Sequence, residues 1–143
     1  MSNVLFVCMD NSGLSQMAEA FFNRLAKGKG KAKSAGVQPA ERLDDNVIEI
    51  MWEVGIEISR QRTKQLTPEL LKWANRVIIF GPEGKRVRSK ELLKCENWVI
   101  EDTAGKSVDS LRRIRAEIQA RVAQLATDIS STITRTGFNE DNS

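Results

Sequence analysis

A cysteine near the N-terminus stands where an apolar run ends and a helical pattern begins. The segment "VLFVCMDNSGLSQMAEAFF" passes from apolar residues, through a short polar loop after Cys8, into apolar residues with helical spacing from Ser15. Such a loop directs backbone N–H groups and the positive end of a helix dipole to one point, which favours an anion. The same field favours the nucleophilic thiolate. Cys8 is therefore a candidate nucleophile, the alternative being a small buried residue at a strand end.

The absence of histidine limits the chemistry that can surround this thiol. The chain has 143 residues and no histidine, which excludes Ser-His-Asp and Cys-His arrangements and every metal site that needs an imidazole. We expect no metal and no cofactor. The two cysteines lie far apart, and the N-terminus lacks the basic start and long apolar segment of a signal peptide. The sequence thus predicts free thiols in a soluble, cytoplasmic protein.

Charge and hydropathy exclude two further classes of function. Lys and Arg number 22 against 19 Asp and Glu, a formal net charge of +3, and the two signs are interspersed. This balance is too mild to predict a nucleic-acid partner. No stretch reaches the roughly 18 uninterrupted apolar residues that a membrane span requires. We therefore expect a small-molecule substrate, with the chain a monomer or a weak dimer.

The elements that must position Cys8 follow from the hydrophobic pattern. Runs rich in Val, Ile and Phe alternate with segments of helical period, which is typical of an α/β protein with a parallel sheet. The predicted strands are 3–7, 32–35, 76–80 and 97–102. The predicted helices begin near Ser15, at Asp44 or Asp45, at Thr67 and near Val108. One domain is predicted over residues 1–130, followed by a disordered tail over 131–143.

Beyond this pattern, the loop sequence resembles a known family. "VLFVCMDNSGLSQMAEAFF" resembles the signature of the low-molecular-weight protein tyrosine phosphatase superfamily, and "NSGLSQMAEAFF" is similar to its thioredoxin-coupled arsenate reductase branch. The resemblance continues through "SAGVQPAERL", "VGIEISRQRTKQL" and "WVIEDT". It implies a three-layer fold, in which a four-stranded parallel sheet of order 2-1-3-4 carries helices on both faces. The loop after the first strand would then lie at the topological switch point, where ligands bind in such sheets.

The resemblance also implies roles for individual residues. Cys8 would be the nucleophile, Ser15 would hydrogen-bond its sulfur, and Asp102 would be the general acid, although Thr103 replaces the proline of the family's usual Asp-Pro pair. Asn11 would brace the loop. The oxyanion would be bound by the loop residues Met9, Asp10, Asn11, Ser12, Gly13 and Leu14.

Two loop residues depart from what an oxyanion requires. Leu14 stands where the family has an arginine that forks onto two oxygens of the bound group. By analogy with other phosphoryl-transfer arginines, its loss could cost on the order of 10³ to 10⁵ in rate. Asp10 places a carboxylate in the loop, which opposes anion binding unless it points outward. Arg86 or Arg88 is a possible auxiliary group, the alternative being an ordinary solvated charge run.

The source of electrons for arsenate reduction is a further question. Phe80 and Val87 fall near the positions where thioredoxin-coupled members carry two more cysteines, so the internal relay is absent. Cys95 is expected at the opposite end of the sheet, as a packing residue. Reduction would then need an external thiol or a thioredoxin-type reductant.

Three hypotheses follow from the sequence. The first is a phosphatase or arsenate reductase with Cys8 as nucleophile, acting on arsenate or phosphate monoesters with impaired turnover. The second is a catalytically inactive module that binds an oxyanion or a partner. The third is a stable scaffold whose loop is no longer used. Retention of Cys8 and Asp102 favours the first, and Leu14 favours the second.

Overall fold

A single parallel sheet of four strands, in the order β2-β1-β3-β4, forms the centre of the computed structural model. The model describes residues 2–81 and 94–141, with side chains as far as Ser130. The strands are β1 (Ser2–Cys8), β2 (Gly30–Gly36), β3 (Arg76–Phe80) and β4 (Cys95–Trp98). The helices are α1 (Leu14–Leu25), α2 (Asp45–Glu53), α3 (Pro68–Trp73) and α4 (Val108–Asp141). The predicted fold class and strand order are confirmed.

Helices cover both faces of the sheet, and β1 supplies residues to both. Its alternate residues Val4, Phe6 and Cys8 join the larger core with α1, α2 and α4. Leu5 and Val7 join the smaller core with residues of α3. All five side chains are at most 5% exposed, so β1 is central and almost dry. Burial on both faces explains its continuous apolar sequence.

Parallel strands bring their carboxyl ends to one edge of the sheet, and the candidate site residues lie at that edge. Cys8 ends β1 and Phe80 ends β3, whereas Asp102 lies after β4. β4 is shorter than predicted, because its pairing with β3 stops at Trp98 opposite Phe80. Val99, included in the predicted strand 97–102, is 79% exposed. The residues up to Asp102 therefore form a loop rather than a strand.

Local signals placed the helix starts correctly. The Asp44 side chain caps α2 by accepting from the Asn46 N–H, and the Thr67 side chain caps α3 by accepting from the Leu70 N–H. α4 continues to Asp141, beyond the point where the sequence pattern predicts the domain to end. The predicted disorder of residues 131–143 stays a prediction.

Three other features bear on the sequence predictions. Cys95 is partly buried at the first position of β4 and packs against the smaller core, as expected of a packing residue. Trp98 is 5% exposed and belongs to the larger core, whereas Trp52 on α2 is 63% exposed. Among the residues described, no helix is long and apolar enough to cross a membrane.

Candidate active site

The loop between β1 and α1 turns sharply around Asn11. Asn11 has a φ of 54°, the left-handed region that asparagine tolerates better than most residues. Gly13 is the N-cap of α1 and offers no side chain to the helix. The first turn of α1 therefore keeps its backbone N–H groups directed towards the loop. This is the strand-loop-helix arrangement that the sequence predicts.

The Cys8 thiol lies against this turn. Its Sγ is 2.8 Å from Ser15 Oγ and accepts from the Asn11 N–H at 3.2 Å. Cys8 is only 5% exposed, and this burial raises the pKa of its thiol. The negative charge of Asp10 raises the pKa further, while the hydrogen bonds from Ser15 and Asn11 oppose the shift. The direction is opposite to the one predicted from the helix dipole alone.

Asn11 braces the loop through both ends of its side chain. Its Nδ2 donates to Ser15 Oγ at 2.8 Å, and its Oδ1 accepts from the Lys64 N–H at 2.8 Å. Gln16 Nε2 donates to the Asn11 carbonyl at 3.1 Å and to its Oδ1 at 3.0 Å. Asn11 is fully buried. Because every polar atom of this side chain has a partner, the left-handed turn is held from behind.

A second layer of polar side chains supports this network, and the sequence analysis missed it. Gln61 Nε2 donates to Gln16 Oε1 at 2.5 Å and to Glu19 Oε2 at 3.1 Å. Ser34 Oγ donates to Glu19 Oε1, which also lies 3.7 Å from Lys64 Nζ. Burial raises the pKa of the Glu19 carboxyl, and Lys64 opposes that shift. The available signal was the three-residue spacing of Gln16 and Glu19, which places both polar side chains on one face of α1.

The front of the thiol opens into a small cavity of about 90 Å³. Apolar side chains form much of its wall, among them Leu14, Phe80 and Ile100. Two carboxyl side chains also line it, those of Asp10 and Asp102. Among the lining residues that the structure describes, none carries a positive charge. Within the described residues, apolar and acidic groups therefore line the cavity in front of Cys8.

Asp10 points into the loop rather than outward. Its Oδ1 accepts from the Ser12 N–H at 3.1 Å and lies 3.8 Å from Cys8 Sγ, a distance at which the thiol S–H donates to the carboxylate. One oxygen thus contacts both the Cys8 sulfur and a backbone donor of the loop. This inward orientation is the one in which Asp10 is predicted to oppose anion binding.

Asp102 is held by the residue that replaces the expected proline. The Thr103 N–H donates to Asp102 Oδ1 at 2.7 Å, a bond that proline could not make. The Thr103 side chain is 4% exposed and lies over Gly13, so a Cβ on Gly13 would overlap its Oγ1. Gly13 and Thr103 therefore fit one another, and together they place the Asp102 backbone beside the loop.

The structure brings together most of the residues predicted for the site. Cys8, Met9, Asp10, Leu14 and Asp102 line one cavity. Ser15 and Asn11 contact the sulfur from behind, while Ser12 and Gly13 belong to the connecting turn. The possible auxiliary residues Arg86 and Arg88 lie outside the described residues, as does Val87.

A larger cavity, about 380 Å³, lies away from this site between β4 and α4. Its charged groups already have partners: Arg76 pairs with Glu96, and the Arg121 guanidinium lies 5.3 Å from the Trp98 ring centroid. No nucleophile lies among its described lining residues. The smaller cavity at Cys8 is therefore the candidate active site.

Comparison with known proteins agrees with this geometry. Residues 3–135 match the family model described as low molecular weight phosphotyrosine protein phosphatase. The "Glutaredoxin arsenate reductase" of Synechocystis sp. is 33% identical over 132 residues, covering 91% of this chain and 100% of the relative. A structure described as "An arsenate reductase in the phosphate binding state" has a TM-score of 0.80 at 34% identity, covering 90% and 99% of the two chains.

A low molecular weight protein tyrosine phosphatase from T. tengcongensis is also similar. Its crystal structure has a TM-score of 0.81 at 27% identity and covers 90% of this chain and 99% of its own. The match thus extends over nearly the whole chain, from β1 into α4. The solved structures share the fold of this chain. The chain belongs to the low molecular weight phosphotyrosine protein phosphatase family.

Proposed function

We propose that the protein is a Cys8-dependent enzyme that acts on arsenate or phosphate monoesters with low turnover. One observation carries the proposal: Cys8 Sγ is hydrogen-bonded to Ser15 Oγ and to the Asn11 N–H, and it faces a cavity that Asp102 also lines. A buried thiol with two donors and a nearby carboxylic acid is suited to nucleophilic attack followed by leaving-group protonation.

The first step in this proposal is common to both substrates. The Cys8 sulfur attacks phosphorus or arsenic, and Asp102 gives a proton to the oxygen that leaves. Ser15 Oγ, 2.8 Å from the sulfur, stabilises the thiolate both when it attacks and when it is later displaced. The product is a covalent adduct on Cys8.

The second step distinguishes the two activities. Water attacks a phosphoryl adduct and releases phosphate. An arsenate adduct needs an external thiol, which attacks the Cys8 sulfur, passes two electrons to arsenic, releases arsenite and leaves a mixed disulfide. A relative described as a glutaredoxin arsenate reductase supports a thiol partner of this kind. The chain's other cysteine, Cys95, lies at the start of β4 and contributes nothing to this step.

Low turnover is proposed on two grounds. Leu14 offers no charge and no donor at the position where the family's motif has arginine, and it lines the cavity in front of Cys8. Burial and Asp10 raise the pKa of the Cys8 thiol, so less of it is thiolate at neutral pH than in a free cysteine. The same two observations favour the second candidate, a binding module without turnover.

Two assays and two variants separate these candidates. Hydrolysis of a small aryl phosphate, and arsenate reduction with an added thiol, are measured for the wild type, Cys8→Ser and Leu14→Arg. We expect slow wild-type turnover, none in Cys8→Ser, and a large gain in Leu14→Arg. If Leu14→Arg folds and turns over neither substrate, the enzyme proposal fails and the binding module remains.

A further proposal concerns Arg86 and Arg88 as cationic groups that reach the oxyanion from outside the loop. Phosphate and arsenate affinities of Arg86→Ala and Arg88→Ala test it. Affinity that does not change in either variant rules out the auxiliary role.

A further inference from the structure

Asp10 has an unusual position for a carboxylate in an anion-binding loop. Its Oδ1 accepts the Ser12 N–H at 3.1 Å and lies 3.8 Å from the Cys8 sulfur. The Asn11 N–H is directed at the sulfur itself, at 3.2 Å. Two loop donors that could bind a substrate oxygen are therefore directed at groups of the protein.

The surroundings of Asp10 reinforce its effect. Asp102 is the second carboxyl group on the cavity, and Leu14 supplies an apolar wall. No cation is found among the lining residues within 2–81 and 94–130. The Asp10 carboxylate oxygen lies 3.8 Å from the Cys8 sulfur, so it repels a second negative charge that approaches the sulfur, and partial burial of the site strengthens this repulsion.

We infer that Asp10 is a specificity-determining residue whose carboxylate serves as the loop's own anion, so that uncharged reactants reach Cys8 in preference to negatively charged ones. The inference rests on the proposed function only in taking Cys8 as the reactive group. In this inference, Asp10 determines which charge a reactant may carry, whereas Ser15 and Asn11 stabilise the sulfur that reacts.

A different role for Asp10 predicts a different outcome. A carboxylate that accepts the thiol proton could instead be the general base that activates Cys8. Removing a base slows every reaction of the sulfur. Removing a competing anion changes the discrimination between charged and uncharged reactants, and it lowers the pKa of the Cys8 thiol.

The test compares two alkylating reagents that differ in charge, iodoacetamide and iodoacetate. Both react with the thiolate, so the ratio of their rates at Cys8 is independent of the thiolate fraction. The ratio is measured by mass spectrometry of the Cys8 peptide in the wild type and in Asp10→Asn, which keeps an acceptor for the Ser12 N–H. Asp109→Asn, whose side chain is 86% exposed on α4, is the matched control.

We expect the wild type to favour iodoacetamide strongly, and Asp10→Asn to reduce that preference about tenfold. Asp109→Asn should leave it unchanged. A ratio unaltered in Asp10→Asn overturns the inference, and so does a loss of rate with both reagents at unchanged ratio, which would identify a base. Asp10→Ser, which also keeps an acceptor, decides the question if circular dichroism shows that Asp10→Asn is misfolded.

A second arm uses inorganic phosphate, read as protection of Cys8 from iodoacetamide. An arginine introduced at position 14 would share the cavity with Asp10, which would compete with phosphate for its guanidinium. The double variant with Asp10→Asn and Leu14→Arg should therefore bind phosphate about tenfold more tightly than Leu14→Arg alone. If the double variant and Leu14→Arg bind phosphate with equal affinity, the inference is overturned, even if Leu14→Arg turns over substrate. If Asp10→Asn loses the preference for iodoacetamide but no variant turns over substrate, the inference is supported while the proposed function fails.

Discussion

The back and the mouth of the Cys8 loop differ in how their polar groups are satisfied. The back comprises Asn11, Ser15, Gln16 and Gln61, which hydrogen-bond one another and the segment before α3. Among the described residues, no buried side-chain polar atom lacks a partner. At the mouth, the described lining residues include the acidic Asp10 and Asp102 and the apolar Leu14, beside a Cys8 thiol whose pKa is raised by burial.

This difference indicates that the residues that hold the backbone of the loop in shape are not the residues that set the charge in front of Cys8. Neutral amides and hydroxyls hold the left-handed turn at Asn11, and they need no ligand and no cation in front. A complete buried network rigidifies the backbone that it contacts. We therefore expect the loop to keep its shape whether position 14 carries leucine or arginine.

The largest effect is expected from Leu14→Arg. A guanidinium at the mouth supplies the bidentate donor that leucine lacks, and we expect turnover to rise by about 10³ or more. Leu14 is 5% exposed and belongs to the larger core, so the substitution also places a charge in a buried position, and we expect the free energy of unfolding to fall by about 1–3 kcal/mol. Steady-state hydrolysis of an aryl phosphate and a urea titration measure the two quantities. Unchanged turnover in a folded Leu14→Arg variant would contradict the prediction, and a loss of stability larger than that of Asn11→Ala would show that back and mouth are coupled.

Asn11→Ala tests the hydrogen-bonded network at the back of the loop. It removes the hydrogen bonds to Ser15 and Lys64 and leaves buried partners unsatisfied, so we expect a loss of about 2–4 kcal/mol in the free energy of unfolding. The exposed Asn46→Ala on α2 is the matched control and should cost far less. Chemical denaturation measures both. A small effect in Asn11→Ala would mean that the turn is stable without its brace.

Lys64→Met tests the second layer of polar side chains, that of Glu19 and Gln61, through the pH dependence of the free energy of unfolding. Burial raises the folded-state pKa of Glu19, so ionising Glu19 opposes folding and stability falls as pH rises through that pKa. Without Lys64 the fall should be larger. Because Lys64 is 39% exposed, we expect only about 1 kcal/mol of extra loss at pH 8, absent below the ordinary carboxyl pKa. Urea midpoints at pH 4 and pH 8 test this, with Lys72→Met as control.

The smallest effect is expected from Thr103→Pro, measured in the Leu14→Arg background. Proline removes the N–H that holds Asp102 Oδ1, so this oxygen becomes available to the leaving group in the cavity that Asp102 lines. We expect roughly a threefold gain in kcat, the effect of one modest hydrogen bond. Thr103→Val keeps the N–H and should show no gain. Equal kcat in the two variants would show that the bond between the Thr103 N–H and Asp102 Oδ1 does not affect Asp102 as the general acid.

The fold was predictable because its signals are local. Alternating strand and helix patterns, the Asp44 and Thr67 caps, and the short loop after Cys8 each depend on neighbouring residues. β4 was the exception: its end depends on where β3 stops, and the sequence "NWVIED" alone does not show that Trp98 is the last paired residue.

The sequence predicted which residues lie at the candidate site, but not how their charges and hydrogen bonds are arranged. Resemblance selected Cys8, Asn11, Ser15 and Asp102, and the structure gathers them at one edge of the sheet. Gln61 and Lys64 escaped notice because they reach the loop from a segment far along the chain. The inward direction of Asp10 also depends on loop geometry that residue types do not specify.

By itself, the sequence determined the α/β architecture, the candidate nucleophile Cys8 at the end of the first strand, and the leucine at position 14. Only the tertiary structure decided that the thiol pKa is raised rather than lowered, that Asp10 faces the sulfur, and that Thr103 fits over Gly13. The physical reason is that burial and electrostatic interactions depend on distances between atoms that the fold brings together. A pattern of residue types records which groups are present, and the packing of distant segments decides how they act on one another.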